Sequence, residues 1–441
     1  MHSESSRRIS GPEFDALVEA ALRRYRGDLF LTNSQVPGES ASLIGLNPYA
    51  TLLVDASTTR DEISAFAFAD PHPTFGFLAY PYGLAARGVR SDKLVAPPLG
   101  CLKKYAAVWR YDNSAQLLQE FEYRKSAAPE AGDLLGGRGG VEKSDSRHED
   151  YAPMEAVPSL TEEEYCQRVA QTIEYIRGGY IYQLNLSIRF SLLWPRLDAA
   201  ALFMNLWRCY PAPFYAWMEA GPLRIISTSP ERFLQVRAGE VLSQPIKGTL
   251  RSARLDRESV DRLTGSLKEQ AELAMIVDLI RNDISCNCEY GSVRVDGHKS
   301  VFRVDDLLQM YSNVRGRLRR DRTCVDLLLD AFPCGSVTGC PKLKALELID
   351  LLEPHGRDIY CGTVFVIRGP RDLESSVAIR TGYFDTDSRL FHFFAGSGIV
   401  VKSEPSAEYA ETLAKAEKFL ALAARLVEPD QNRTARRRGS V

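Results

Sequence analysis

Strand-like alternation that recurs in clusters, with amphipathic helices between them, is the feature that most narrows what this chain can fold into. Short alternating or apolar runs occur at 50–56 (ATLLVDA), 105–112 (YAAVWRYD) and 180–190 (YIYQLNLSIRF), and further strands are predicted at 223–228, 232–237, 361–368, 376–384 and 390–395. Helical periodicity predicts helices over 159–178, 199–208, 255–282, 323–331, 341–352 and 406–427. The first of these is the best marked. Thr161 with Glu164 makes a capping box, Tyr165, Val169, Ile173 and Ile176 recur at helical spacing, and Gly178 and Gly179 stop the run. Strands in groups with helices between them fit a mixed α/β (α+β) protein with largely antiparallel sheets.

The texture breaks once. Residues 129–153 (PEAGDLLGGRGGVEKSDSRHEDYAP) are rich in Gly, Pro and charge and carry little apolar periodicity, so a flexible linker or long surface loop is expected there. It separates an N-terminal β-rich subdomain (1–128) from a larger domain (154–428). A basic tail (429–441), with Arg433, Arg436, Arg437 and Arg438, is expected to be disordered. At 45% hydrophobic residues the chain can bury a substantial core, and a net charge of -2 gives no reason to expect nucleic acid or a membrane surface. No stretch reaches the ~20 apolar residues of a membrane span, and MHSESSRRISG lacks the apolar core of a signal peptide, so a cytoplasmic location is expected. Nine cysteines are expected to be reduced and mostly buried; neither Cys286 with Cys288 nor Cys334 with Cys340 has the paired spacing of a zinc site.

Four local patterns could carry chemistry, and each has a plainer reading. Lys247 sits in Gln244-Pro245-Ile246-Lys247-Gly248-Thr249, where a strand ends and a glycine lets a ligand approach. An ordinary surface lysine would leave the same hexapeptide. Glu272 shares a helical stripe with Met275, Ile276, Leu279 and Ile280, so its carboxylate must be paired, protonated or bound to a cation, unless it reaches solvent at the stripe's margin. Glu408 and Glu411 share a helix face; with Glu272 they would suit Mg²⁺, which prefers oxygen ligands, although an acidic first turn also simply complements the helix dipole. Gly335-Ser336-Val337-Thr338-Gly339 runs into Pro341 and a helix, Ala395-Gly396-Ser397-Gly398 is a second small-residue segment, and Arg380 ends a predicted strand. Free N–H groups and an arginine fork would bind carboxylates. Together these features describe a site for a small, multiply charged carboxylate without naming one.

In order along the chain, YQLNLSIRF (182–190), SPERF (229–233), PIKGT (245–249), AELAMIVDLIRND (271–283), GSVTGCPKLKALELID (335–350), Tyr360 with Gly362, AIRT (378–381), AGSGIV (395–400) and AEYAET (407–412) resemble the blocks of the chorismate-utilising enzymes. That family holds the anthranilate, isochorismate and salicylate synthases and the enzymes that aminate chorismate at C4. The resemblance covers about residues 160 to 425, with a weaker match at FGFLAYPYGLA (75–85). It implies an anthranilate-synthase-like fold: two packed, largely antiparallel β-sheets with helices on the outside.

The resemblance also implies chemistry. Lys247 stands where anthranilate and salicylate synthases usually carry Ala, which points to the branch that replaces the 4-hydroxyl of chorismate with an amino group on the way to 4-aminobenzoate and folate. There the lysine is expected to attack C2 and expel the hydroxyl, ammonia then displacing it. Glu231 becomes the general acid. Glu272 and Glu411 become Mg²⁺ ligands with Glu408 close by. Tyr360, Arg380 and the backbone at Gly396, Ser397 and Gly398 are expected to hold the enolpyruvyl carboxylate, and Thr338 and Gly339 the ring side; Thr249 is also expected to bind substrate. Gln309 stands where the pyruvate-releasing branch typically has His, which agrees with a product that keeps its enolpyruvyl arm. No glutaminase block flanks the matched region, so a separate glutamine amidotransferase subunit is expected to supply ammonia. Anthranilate formation, or a catalytically inactive chorismate-binding subunit, are the alternatives. Cys334 and Cys340 depart from the family's usual Gly and Ala, which puts the backbone at Cys334 to the test.

Overall fold

A computed structural model describes residues 3–32, 41–96, 98–124, 131, 155–210, 212–252, 255–304 and 307–425. The expected tail at 429–441 and, Ala131 and 155 onward apart, the expected linker at 129–153 lie outside those residues. The strands form one 20-stranded hydrogen-bonded network whose ladders are all antiparallel, so the two sheets expected from the resemblance are continuous with one another. Strands from both sides of the 129–153 break pair directly: Asp28–Thr32 with Phe214–Ala220, and Thr74–Leu78 with Thr363–Gly369.

Two expected elements divide, for local reasons. The helix expected over 255–282 is two helices, Arg257–Thr264 and Leu267–Ser285. Gly265 closes the first, its N–H bonding to the Asp261 carbonyl, and the Ser266 hydroxyl caps the second by accepting from the Glu269 N–H. The strand expected over 376–384 is two strands, Asp372–Val377 and Thr381–Asp385, because Arg380 adopts a left-handed φ of 49° between them. A long hairpin, Arg294–Val304 with Leu307–Arg317, has no counterpart in the sequence reading; its strands mix charged and small residues and lack clean alternation. The capping box at Thr161 is present, its hydroxyl accepting from the Glu164 N–H while the Glu164 carboxylate accepts from the Thr161 N–H.

The elements that place the site are locked by packing. Gln183–Leu193 pairs with Leu390–Ile399 along ten registered positions, Phe190 stacks on Phe393 at 4.9 Å, and Phe393 stacks on Phe419 of the helix Pro405–Arg425 at 5.8 Å. Burying each such ring is worth about 1.5–3 kcal/mol, so this helix is held firmly over the paired strands. Against Gln183–Leu193, Glu353 and Arg357 form a fully buried ion pair at 2.7 Å. Arg357 also donates to the carbonyls of Asn185 (2.7 Å) and Val337 (2.9 Å), and Glu353 accepts from the N–H and hydroxyl of Ser187, both at 2.8 Å. This brace ties the strand to the small-residue segment 335–339.

Candidate active site

Lys247 lies on the strand Ile246–Arg251, where the ladder to Leu307–Arg317 slips between Ile246 and Thr249. Such an irregularity re-aims a side chain. Gly248 permits it with φ +81°, and a Cβ there would also lie 3.1 Å from a Glu269 oxygen. The Lys247 amine reaches Gly398: a Cβ placed on that glycine would be 3.4 Å from Nζ and 2.8 Å from the Gln183 Nε2. Half-buried, Lys247 makes no hydrogen bond or ion pair among the described residues.

Glu231 is the residue expected to serve as the acid. Its backbone is held by Ser229, whose hydroxyl accepts from the Glu231 N–H, and its carbonyl accepts from the Val377 N–H. The side chain is 4% exposed, and Oε1 has no partner among the described residues. Burial raises its pKa to about 7, although the Ser336 hydroxyl and the Lys247 charge pull it down. A carboxyl poised near neutrality beside a primary amine is what general acid catalysis requires.

The glycine segment presents an open edge. Gly396 and Gly398 face Ser187 and Asn185, whose N–H groups are spent elsewhere, on Glu353 and on the Thr338 carbonyl. These are therefore non-hydrogen-bonded pairs, in which backbone groups point away from the partner strand. The N–H groups of Gly396 and Gly398 thus project from an edge to which no other described strand pairs at 395–399, while the Gly396 carbonyl accepts from Lys415 at 3.0 Å. Tyr360 lies over Gly396, its hydroxyl 3.0 Å from where a Cβ would sit, its ring stacked on Phe394 at 5.3 Å. Burial pushes the phenol pKa well up, so the hydroxyl stays neutral. The Arg380 guanidinium makes no hydrogen bond or ion pair among the described residues. Burial lowers its pKa, but a guanidinium remains charged.

Other expected residues are occupied differently. The Ser397 hydroxyl points to the helix side, 3.0 Å from the Tyr165 hydroxyl, which also reaches Thr412 at 3.0 Å; only the backbone of Ser397 is left for a ligand. The Thr338 hydroxyl donates within its own turn, to the carbonyls of Cys334 (3.1 Å) and Gly335 (3.3 Å), leaving its oxygen as an acceptor. Gly339 pairs with Leu184, where a side chain would collide with the Gln183 carbonyl. The side chain of Thr249 lies outside the described residues. Cys334 has φ -58° and ψ 133°, open to any residue, so the loop tolerates this departure from glycine. Lys342, at the start of the helix Lys342–Leu352, pairs with Asp283 at 2.7 Å.

The three glutamates expected to bind Mg²⁺ offer hard oxygen donors, which suit that ion in kind. Glu272 is half-buried on Leu267–Ser285; Glu408 is buried and accepts from the Ser403 hydroxyl at 2.7 Å; Glu411 is exposed and paired with Lys415 at 2.8 Å. Among the described residues no group of three or more His, Cys, Asp or Glu side chains is gathered as a metal cage. Mg²⁺ commonly needs only one or two carboxylates and keeps several waters.

The sequence reading passed over Gln183, Asn185, Ser336 and the Glu353–Arg357 brace. A signal existed. In QLNLS the polar residues Gln183, Asn185 and Ser187 alternate with leucines, and all are buried. A polar stripe on a buried strand implies either a network or a ligand. Here Gln183 Oε1, Asn185 Nδ2, Gln309 Oε1 and Glu231 Oε1 all lack partners among the described residues.

Comparison with known proteins places this arrangement. The family described as chorismate binding enzyme matches residues 30–421. Aminodeoxychorismate synthase component 1 of Klebsiella aerogenes is 39% identical over 265 residues, and that of Escherichia coli (strain K12) 36%; each match covers 59% of this chain and 58% of the relative. Anthranilate synthase component 1 of Haloferax volcanii is 36% identical over 255 residues, 57% of this chain and 48% of its own. The chain thus matches 48–58% of the length of these relatives. Among solved structures, anthranilate synthase component I from Streptococcus pneumoniae TIGR4 superposes with a TM-score of 0.74 at 25% identity, covering 88% of this chain and 93% of that one. The Escherichia coli isochorismate synthase MenF, at 18% identity, shares the fold with a TM-score of 0.74 over 96% and 95% of the two chains.

Proposed function

This chain belongs to the chorismate binding enzyme family, and on that premise we propose that it replaces the 4-hydroxyl of chorismate with an amino group, giving 4-amino-4-deoxychorismate and water from chorismate and ammonia. The observation that carries the reading is that the Lys247 amine reaches Gly398 and its charge acts on the buried acid Glu231, whose pKa burial raises to about 7. The names of the relatives from Klebsiella aerogenes and Escherichia coli agree with it.

The steps balance on these residues. The neutral Lys247 amine forms a bond to C2 of the ring, the ring double bond shifts, and the C4–oxygen bond breaks. Hydroxide is a poor leaving group, so Glu231 gives its proton to that oxygen and water departs. Ammonia then attacks C4, the double bond shifts back, the lysine is released as the neutral amine, and the new C4 ammonium returns a proton to Glu231. The open N–H groups of Gly396 and Gly398, with Tyr360 and Arg380, are suited to a carboxylate of the substrate. Mg²⁺ would be held by Glu272, Glu408 and Glu411, and when bound would supply positive charge against a ring carboxylate. A second component that hydrolyses glutamine is the proposed ammonia source. The cytoplasm is the proposed location; no helix among the described residues is long and apolar enough to cross a membrane.

Incubating the chain with chorismate, ammonium and Mg²⁺ and separating the products tests this. A product that gives 4-aminobenzoate on adding a lyase is the expected result. Anthranilate with pyruvate would overturn it. Lys247→Ala should lose the lysine adduct otherwise visible by intact mass, and chelation should abolish turnover until Mg²⁺ is restored.

A further inference from the structure

A cavity of about 170 Å³ is lined by none of Lys247, Glu231 or Arg380. It lies between the helix Tyr80–Ala86, the helix Lys342–Leu352 and the segment 87–96 that follows the first of them. Alternate residues of that segment, Val89, Ser91, Lys93 and Val95, line it, as they would along an extended chain. Two of these are tied to Asp350 on the second helix. The Ser91 hydroxyl donates to its carboxylate at 2.7 Å, and Lys93 pairs with it at 3.2 Å. The Ala96 N–H holds the end of the segment, donating to Asp358 at 2.8 Å. Pro81, Leu84, Leu99 and Ile349 add to the apolar walls.

Charge and hydrogen bonding decide what such a cavity accepts. The charged residues that line it are already paired, Lys93 with Asp350 and Arg357 with Glu353, the latter at 2.7 Å. His355 lies between the Ser159 and Ser187 hydroxyls, and burial lowers its pKa to about 4, so it is neutral. An ionic ligand would find no uncompensated counter-charge here, and burying an unpaired charge is costly. Tyr80 is the exception to this satisfaction. It lines the cavity, is 2% exposed, and its hydroxyl has no partner among the described residues. Buried hydroxyls are ordinarily hydrogen-bonded. Burial also raises the pKa of this phenol, so it stays neutral. As for size, an apolar cavity of about 150 Å³ takes a benzene ring. We propose that this cavity binds a neutral, single-ring molecule with one hydrogen-bonding group, its ring against the aliphatic walls and its polar group on the Tyr80 hydroxyl. The candidate active site differs in kind, since its open N–H groups and arginine call for carboxylates.

The proposal does not depend on the reaction at Lys247, so binding is measured without turnover. Fluorine NMR of the full chain, with 4-fluorophenol as the probe, should show saturable binding with a Kd of roughly 0.1–1 mM. Filling the space should abolish it. Val89→Phe and Ala85→Phe each bring a ring into the cavity, one from the segment 87–96 and one from the helix Tyr80–Ala86. A melting temperature close to that of the wild type shows which of them has folded, and a single folded variant decides. Tyr80→Phe should weaken 4-fluorophenol roughly 5–10-fold, the worth of one hydrogen bond, while fluorobenzene binds this variant and the wild type equally. The charged isostere 4-fluorobenzoate should show no binding that the filling variants remove. Four results would each overturn the proposal: no saturation by 4-fluorophenol, undiminished binding in a folded filling variant, equal 4-fluorophenol affinity in Tyr80→Phe and wild type, or 4-fluorobenzoate bound as tightly as 4-fluorophenol and displaced by the same filling. Undiminished binding would assign the probe to the candidate active site instead.

Discussion

Two buried polar clusters meet at the strand Gln183–Leu193, and they are built to opposite rules. In one, Glu353 accepts from Ser187 and Arg357, Arg357 donates to Asn185 and Val337, and His355 lies between Ser159 (2.9 Å) and Ser187 (3.2 Å). In the other, Glu231, Gln183, Asn185 and Gln309 each leave a buried atom without a partner, and Lys247 and Arg380 make no ion pair among the described residues. Buried polar groups are ordinarily satisfied because an unpaired one costs about 1–3 kcal/mol. The first cluster therefore serves the fold, and the second holds its hydrogen-bonding capacity for a ligand.

The sharpest way to break this contrast is to neutralise one charge in each cluster. Glu231→Gln should lower kcat by roughly 10²–10⁴-fold in the chorismate assay while the protein melts no earlier than wild type. Arg357→Met leaves Glu353 buried and unpaired, and should cost about 3–5 kcal/mol of stability in urea denaturation. If Arg357→Met were neutral for stability, or Glu231→Gln destabilising, the division between the clusters would fail.

The clusters should also respond to pH with opposite signs. The Glu231 carboxyl is neutral in both folded and unfolded chains below pH 4.5; between 4.5 and about 7 only the unfolded chain ionises, so stability is lost as pH rises through that window. Glu231→Gln should remove this loss, gaining up to about 3 kcal/mol over wild type above the window. His355 runs the other way. Burial lowers its pKa from 6.5 to about 4, so its contribution is present at neutral pH and lost as pH falls between those values. Burial opposes the lowered pKa of Glu353, which the Arg357 charge brings about, and that shift adds to the loss in acid. In urea melts across the shared range, Glu231→Gln should remove a fall in stability with rising pH and His355→Gln should remove a rise.

A smaller effect probes the backbone that aims Lys247. Gly248→Ala forces a side chain onto φ +81° and towards Glu269, and should cost about 1–2 kcal/mol while lowering turnover. A variant as stable and as active as wild type would mean that the slipped ladder does not set the lysine's aim.

Much of this was readable from residues alone. The capping box at Thr161, the helix at 341–352, the strand that carries Gln183 and the family blocks around Glu231, Lys247, Tyr360 and Arg380 are local patterns, and local chemistry enforces them. Which way Ser397 points was open to the sequence only in part. Alternation along a strand says that it opposes Gly396 and Gly398, but only the packing of Tyr165 and Thr412 says which face meets a helix. The same holds for the polar stripe in QLNLS, where nothing local tells a satisfied brace from an open site.

The sequence by itself determined many of the elements, the family and the identities of the chemical groups, because propensity, capping and alternation act between residues a few positions apart. The tertiary structure decided which buried polar atoms find partners: Glu353 meets Ser187 across 166 positions, while Glu231 reaches no acceptor or donor for Oε1 among the described residues. Hydrogen bonding and desolvation depend on what lies within about 3 Å in space, and chain separation carries no record of that distance.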